Sequence, residues 1–421
     1  MNRPKTFSLH ALFFSVALLF LSAGCGGDDP VSPSGGGFSA DEAVAALDSV
    51  ADAVIAISGV ENAVFLVDAP GEDFSWTAAR GLADPAAGDS MTADLPFRIA
   101  SVSKIFTAAL VLDLVEEGLL GLDDSLGALL DSALFPEGYA AADLHSRSGV
   151  RSGGAITVRR LLNHTSGMRD YIFDGISGTG GAPGSLIYGY AQDILTTGGA
   201  GVASTRWTPE ELFAFYLTSG LSGAALFPPG EGFHYSNTNY MILGHVVEAV
   251  TGNTFDAELR SRIIEPLGLA DTYLEYRETA VGESPAHHFF DLRRLGGPNI
   301  DVIGMGIDTS LEWGCGGMVS TAGDLARFLR ELVEGRLFDH PSTLQAMFGW
   351  VGAGGGDEYG LGVRRGTAAG VTVIGHGGFW GARAAYIPEW DVVVVFAVNQ
   401  AFADLDVPLE DMVSALRDAG L

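Results

Sequence analysis

"ASVSKIFTAALVLDLV" (residues 100–115) decides how this chain is read. Alanine, valine and leucine crowd it beside Ile105 and Phe106, the composition of a helix made for burial. Yet it opens with Ser101, Ser103 and Lys104, and an ammonium group is costly to bury. The chain uses arginine almost wherever it needs positive charge, and its only other lysine is Lys5. A desolvated amine can lose its proton, whereas a guanidinium stays charged. Ser101 and Lys104 stand three apart, so on a helix they share a face one turn apart. The positive end of the helix dipole and the apolar neighbours both disfavour an ammonium there. Moving a lysine pKa from ~10.4 to near 7 takes roughly 4–5 kcal/mol, which burial can supply. Such an amine can take the Ser101 proton, and the free N–H groups at the helix start can hold a developing oxyanion. Alone, Ser-x-x-Lys is a common pattern; the scarcity of lysine gives this one weight.

The surrounding chain has 421 residues, a formal charge of -29, 47% hydrophobic residues and a mean hydropathy of +0.26. This is the composition of a packed globular protein. Its acidic surplus argues against a nucleic-acid partner, since phosphate backbones require clustered Lys and Arg. Arg3 and Lys5 precede an apolar run from Ala11 to Leu21, too short to span a ~30 Å bilayer and read as an export leader over residues 1–24. Cys25 follows Ser22-Ala23-Gly24 and resembles the lipid-acceptor cysteine of bacterial lipoproteins, although the leucine sits one place early. The expectation is an exported protein held to a membrane by lipid on Cys25; an ordinary cleavage nearby is the alternative. Gly, Ser, Pro and Asp then make residues 25–39 a tether, leaving residues 40–421 as one domain. With Cys25 lipidated, Cys315 has no disulfide partner and reads as a small buried residue.

Residues 40–57 carry helical apolar spacing, and further helices are expected at 101–117, 208–219, 238–251, 254–265, 321–334 and 405–416. "NAVFLVD" and "DFSWTAARG" read as paired strands; near the other end, "YGLGVRR", "GVTVIGH", "RAAYIP" and "DVVVVFAVN" read as four more. Strands at both ends with helices between imply one sheet closed by distant segments and a helical region on one side. Stretches 132–156 and 170–206 are looser, rich in Gly and Ser, and placed at the rim of the site. His287-His288 lacks a convincingly spaced third ligand, His164 reads as structural, and no metal or cofactor is expected. There is neither a Gly-x-Ser-x-Gly elbow nor a P-loop.

Two further clusters carry chemistry. In "PPGEGFHYSNTNYMILGHVVEAVTG", Tyr235-Ser236-Asn237 sits in a loop just before a helix. Asn237 can cap that helix, or Tyr235 can relay protons while Asn237 holds a carbonyl. In "VTVIGHGGFWGARAAYIP", His376-Gly377-Gly378 follows a strand, as a tight turn or as an edge that a substrate backbone can approach.

Ser-x-x-Lys, Tyr-x-Asn and His-Gly-Gly in this order resemble the serine β-lactamase and penicillin-binding protein superfamily. The likeness is nearest the class C β-lactamase-related branch of D-Ala-D-Ala carboxypeptidases, D-aminopeptidases and esterases. "LLNHTSGM", "IIEPLGLADTYL" and "GCGGMVSTAGDLARFL" resemble further landmarks of that family. The resemblance implies an α+β, β-lactamase/DD-peptidase-like fold. An antiparallel sheet flanked by N- and C-terminal helices would join a mostly helical region, with the active site between them. It also implies that Ser101 is acylated, that Lys104 is its base or proton shuttle, and that Tyr235 is an acid/base partner. Asn237 would hold the acyl side of the substrate, and the N–H groups of Ser101 and Phe379 would form the oxyanion hole. His376, Gly377 and Gly378 would border the substrate. Those three catalytic groups are expected within about 2.6–3.5 Å of one another, or slightly looser without ligand.

The third motif departs from the family. Gly377 stands where many members have the threonine of Lys-Thr-Gly or His-Thr-Gly, which weakens the case for a carboxylate-bearing substrate. Arg383 and Arg364 remain as alternative anion binders. The resemblance therefore implies a serine hydrolase acting on a small-molecule or peptide substrate. An esterase or broad acyl hydrolase comes first, then a D-amino-acid peptidase, then a β-lactamase. A penicillin-binding-type sensor and a degenerate binding lipoprotein are the non-enzyme alternatives.

Overall fold

The computed structural model describes residues 37–175, 185–280, 282–293 and 297–421. The leader, Cys25 and nearly all of the tether lie outside the described residues. The first helix, α1 (Ala40–Ile55), starts after Ser39, whose hydroxyl accepts from Glu42 N at 3.4 Å, with Asp41 and Glu42 favourably placed at the positive helix end. Then come β1 (Asn62–Ala69), β2 (Phe74–Asp84) and the short β3 (Asp89–Ser90). The chain leaves the sheet for a long, mainly helical excursion. That region holds α2 (Ser103–Glu116), α3 (Leu186–Thr197), α4 (Asn237–Thr251) and α5 (Ala322–Val333). It returns through β4 (Val351–Gly354), β5 (Asp357–Tyr359), β6 (Arg364–Ala368), β7 (Val371–Gly377), β8 (Ala382–Ile387) and β9 (Val392–Ala397), and closes with α6 (Asp406–Asp418).

Among the described residues the main sheet has nine strands in the order β4-β5-β6-β7-β8-β9-β1-β2-β3, all neighbours antiparallel. The last strand of the chain thus pairs with the first, in the register Phe65↔Phe396 and Val67↔Val394. Side chains on a strand alternate between faces. Ala63, Phe65 and Val67 of β1 and Val392, Val394 and Phe396 of β9 enter the core beneath α1 and α6. Val64 and Leu66, with Val393, Val395 and Ala397, enter the larger core shared with the helical region. "DVVVVF" reads as unbroken apolar sequence because both of its faces are covered.

α2 runs through that larger core and is apolar on all sides. Residues 103–112 are buried, Lys104 included at 0% exposure. α5 lies between it and the sheet, with Phe106 and Phe328 stacked at 3.6 Å between ring centroids. This is the expected α+β architecture, with the candidate site where the start of α2, the loop before α4 and the end of β7 meet.

Local departures have physical causes. "YGLGVRR" is two strands, because Gly360–Val363 form a turn with Gly362 at φ +82°. The helix expected at 254–265 is α-helical only over Phe255–Leu259 and becomes a π-helical turn over Arg260–Ile264. Part of the loose stretch 170–206 is α3, whose Leu186, Tyr190 and Ile194 are buried at helical spacing.

Gly378, just past β7, locks the two halves of the site together. A Cβ there would come within 2.2 Å of the Ile99 carbonyl oxygen and 3.2 Å of Ala100 Cβ. Gly378→Ala is expected to lower stability by about 1–3 kcal/mol in urea unfolding. It should also lower activity beyond the unfolded fraction, because strand and nucleophile turn must part. Stability and rate both equal to the parent protein would show that this approach constrains nothing.

Candidate active site

Ser101 stands in a single 3-10 turn (Ala100–Val102) that feeds α2 at Ser103. Ala100 carries φ +45°, in the left-handed region that costs a non-glycine residue roughly 1–2 kcal/mol. The expected helix start at 101 is therefore a strained turn, and Ser101 is raised out of the helix into the cleft.

Lys104 Nζ lies 3.0 Å from Ser101 Oγ, 2.7 Å from Asn237 Oδ1 and 2.6 Å from the Cys315 carbonyl oxygen. Two of these three partners can only accept. The Asn237 amide is oriented by Asp170, whose Oδ2 accepts from Asn237 Nδ2 at 2.8 Å and from Asn237 N at 3.0 Å. Asn237 therefore must turn its oxygen toward the amine. A neutral amine has two N–H groups and one lone pair. The N–H groups go to Asn237 and Cys315, and the lone pair is left for the one partner able to donate, the Ser101 hydroxyl. That is the arrangement of a general base and its nucleophile.

Burial is the dominant influence on Lys104 and lowers its pKa; Cys315, Asp170 and Glu312 oppose it. Two of these opponents hold their protons at neutral pH. Burial pushes the Cys315 thiol up to about 12 and the Glu312 carboxyl up to about 8. Asp170, pushed up to about 6 by burial and then by Asp174, is the anion that remains. It is fixed by Ile172 N at 2.7 Å and acts on Lys104 through Asn237.

The Tyr235 hydroxyl is buried and makes no hydrogen bond of ordinary geometry. Burial drives its pKa far up, and the Ser101 side chain is the main influence against that. Its ring lies 5.0 Å from Lys104 Nζ and 4.3 Å from the His164 ring. Of the expected convergence, the Ser101–Lys104 contact is a hydrogen bond, while Tyr235 adjoins Ser101 without one of ordinary geometry; such contacts tighten when substrate arrives. His164 is structural, with φ +59° and Nδ1 engaged by Ser236 N at 3.2 Å and Asn239 Nδ2 at 2.9 Å. Phe379 lies beside Ser101 in the cleft wall, and its N–H is bonded to no main-chain acceptor among the described residues. The Ser101 N–H belongs to the first turn, where intrahelical acceptors are lacking.

Two expectations need correction. His376 spends both ring nitrogens inside the protein, on the Tyr359 hydroxyl at 3.0 Å and the Gly377 carbonyl at 2.7 Å, so it buttresses Tyr235 and offers a substrate nothing. Side chains alternate along β7, so Gly377 faces the opposite side of the sheet, toward Arg383 and Leu405. Arg383 and Arg364 lie there with Asp357, Asp406 and Glu410, in a pocket separate from the Ser101 cleft. Arg364 is bonded to Asp357 at 2.8 Å, and neither arginine lines the Ser101 cleft.

The cleft at Ser101 and Asn237 is mostly apolar, with Ile172, Ile187, Ile194, Ile307, Leu311 and Phe379 among its side chains. Glu312 is its one carboxyl among the described residues. Glu312, Asp170 and the Cys315 carbonyl escaped the reading of the sequence. A main-chain acceptor leaves no mark in sequence, and the two carboxylates stand outside the three motifs. Among the described residues no group of His, Cys, Asp and Glu is arranged to hold a metal ion.

Lys104→Arg is expected to fold, by circular dichroism, yet to lose ester hydrolysis by roughly 10²-fold or more, the scale of a lost general base. Ser101→Ala should lose at least as much and fail to label with a fluorophosphonate. The double variant should be little worse than the poorer single one, since the two residues act as a unit. Parental rates in folded Lys104→Arg would exclude this role for the amine.

Comparison with known proteins gives the family. Residues 47–417 match the family described as Beta-lactamase. Esterase EstB of Burkholderia gladioli is 32% identical over 236 residues, 56% of this chain and 53% of that protein. Penicillin-binding protein 4 of Amycolatopsis lactamdurans is 30% identical over 191 residues, 45% of this chain and 39% of that protein. The matched regions thus span about half or less of these relatives. A D-stereospecific amidohydrolase from Streptomyces sp. superposes with a TM-score of 0.69 at 27% identity, covering 90% of this chain and 98% of the other. The chain belongs to the β-lactamase family of serine hydrolases.

Proposed function

We propose that this protein hydrolyses esters or amides of apolar acids through an acyl-enzyme on Ser101. The observation that carries the reading is the cleft. It opens on a serine with a buried amine as base, its walls are apolar, and it holds no basic side chain among the described residues. An apolar acyl group gains from burial there at about 25 cal/mol per Å², whereas a substrate carboxylate would meet no cation beyond the amine already engaged. Lys104 takes the Ser101 proton as the hydroxyl attacks the carbonyl. The oxyanion is held by the N–H groups of Ser101 and Phe379. The proton then passes to the leaving group, with Tyr235 at hand as a relay. Water repeats the sequence on the acyl-enzyme. Tyr235 and Phe379 also border a shallower, mostly apolar groove with Phe173, Phe402, Asp174 and His234, which gives the leaving group a way out.

Esterase or broad acyl-hydrolase action stands first, peptidase action on D-amino-acid substrates second and β-lactamase action last. Purified protein should turn over p-nitrophenyl esters at least about 10²-fold faster, by kcat/KM, than nitrocefin, a carboxylate-bearing β-lactam. The reverse order would sink the reading. A burst without steady turnover would favour a sensor instead.

The expected export and lipid anchor are part of this proposal, supported by the Cys25 motif. The mature protein should partition into detergent and carry acyl mass on Cys25. An unmodified N-terminus at another residue, found by mass spectrometry, would overturn that part.

A further inference from the structure

One ionisable group in the cleft has no part in the mechanism above. Glu312 lies in the cleft wall with Ser101, half-buried, and follows a 3-10 turn (Ser310–Glu312). Its Oε1 accepts from Trp380 Nε1 at 2.8 Å. No hydrogen bond or ion pair reaches Oε2 among the described residues. Oε2 packs against Gly316, where an added Cβ would stand 2.8 Å from Oε2 and 3.5 Å from the Ala100 carbonyl carbon. The carboxyl is therefore adjacent to the nucleophile turn.

The charged groups around it are already committed. Arg98 is held by Glu275 at 2.5 and 2.8 Å and by His288 at 2.7 Å. Lys104 is held by Ser101, Asn237 and Cys315. Glu275 is the other carboxylate that acts on Glu312, and it is spent on Arg98. A carboxyl walled in by apolar side chains without a cation is costly once ionised, and a cation that enters the same cleft relieves the cost. Metal ligands do not surround it, so the cation it fits is organic and brought by the substrate. The apolar walls fit the rest of that substrate.

We propose that Glu312 is a specificity-determining residue that binds the primary ammonium of an amino-acyl substrate, so that the preferred acyl group is an apolar amino acid with a free amine. The inference rests on the hydrolase reading above and narrows its substrate class. Trp380 fixes the carboxyl so that Oε2 meets the ammonium while the acyl carbonyl reaches Ser101. A charge-assisted hydrogen bond in a dry cleft is strong enough to decide between substrates.

The test compares p-nitrophenyl esters of D- and L-phenylalanine with the ester of 3-phenylpropanoic acid, which lacks only the amine. The parent protein should favour the better amino ester by about tenfold or more in kcat/KM, and Glu312→Gln, which keeps an acceptor for Trp380, should reduce that ratio by about tenfold. A purely structural role would move both substrates together and leave the ratio unchanged, and that result overturns the proposal. The unaltered protein supplies a second reading. 2-Phenylethylamine should inhibit hydrolysis of the 3-phenylpropanoate ester about tenfold more tightly than 2-phenylethanol, and equal inhibition also overturns it. Fluorophosphonate labelling of Ser101 is read in parallel. Loss of labelling defeats the hydrolase reading itself, whereas labelling without amine preference defeats only the role of Glu312.

Discussion

The site depends on keeping one amine dry. Lys104 is fully buried, and the chain meets that cost by giving its nitrogen three oxygens at 2.6–3.0 Å. Only one of the three can donate in return, so the same contacts that make burial tolerable set the direction of proton transfer. A guanidinium could neither fit that triangle nor give up a proton. The partners come from the turn before α2, from α4 and from the helical turn Trp313–Gly316, so the triangle also fastens three distant segments to one another.

Backbone strain surrounds the triangle. Ala100 at φ +45° precedes the nucleophile, and Trp313 at φ +22° lies between Glu312 and Cys315. Conformations of this kind cost on the order of 1–3 kcal/mol each and persist where neighbours over-determine them. Here the neighbours are visible. Gly378 of the sheet presses on Ile99 and Ala100, while the Trp313 ring lies within 4.8 Å of the His245 ring and 5.5 Å of Phe255. Sheet and helical region thus hold the serine in a position that neither would give it alone.

The cleft beside the serine is greasy where the equivalent family motif leads one to expect an anion site. Gly377 removes one side chain, and the pleat of β8 sends Arg383 to the other face of the sheet, into the company of Asp406. What remains in the Ser101 cleft is mostly apolar surface, with Glu312 as the one carboxyl among the described residues.

Much was legible in the sequence because it follows from local rules. Period-two and period-3.6 apolar spacing place the end strands and most helices, and glycine and proline mark their limits. The lone lysine of the domain, three residues after a serine, names the nucleophile and its base. Ser-x-x-Lys, Tyr-x-Asn and His-Gly-Gly in order give the family. Tertiary structure alone decided which groups answer that lysine. The Cys315 carbonyl has no sequence signature, Asp170 acts through an amide 67 positions away, and Glu312 enters the cleft from a turn whose path is fixed by packing. It also decided that His376 is spent on Tyr359 and that Arg383 faces away, because the side of a strand on which a residue emerges relative to a distant helix is set by register and closure of the sheet. Local propensity writes the elements and the reactive pair; long-range packing writes the environment that makes the pair reactive.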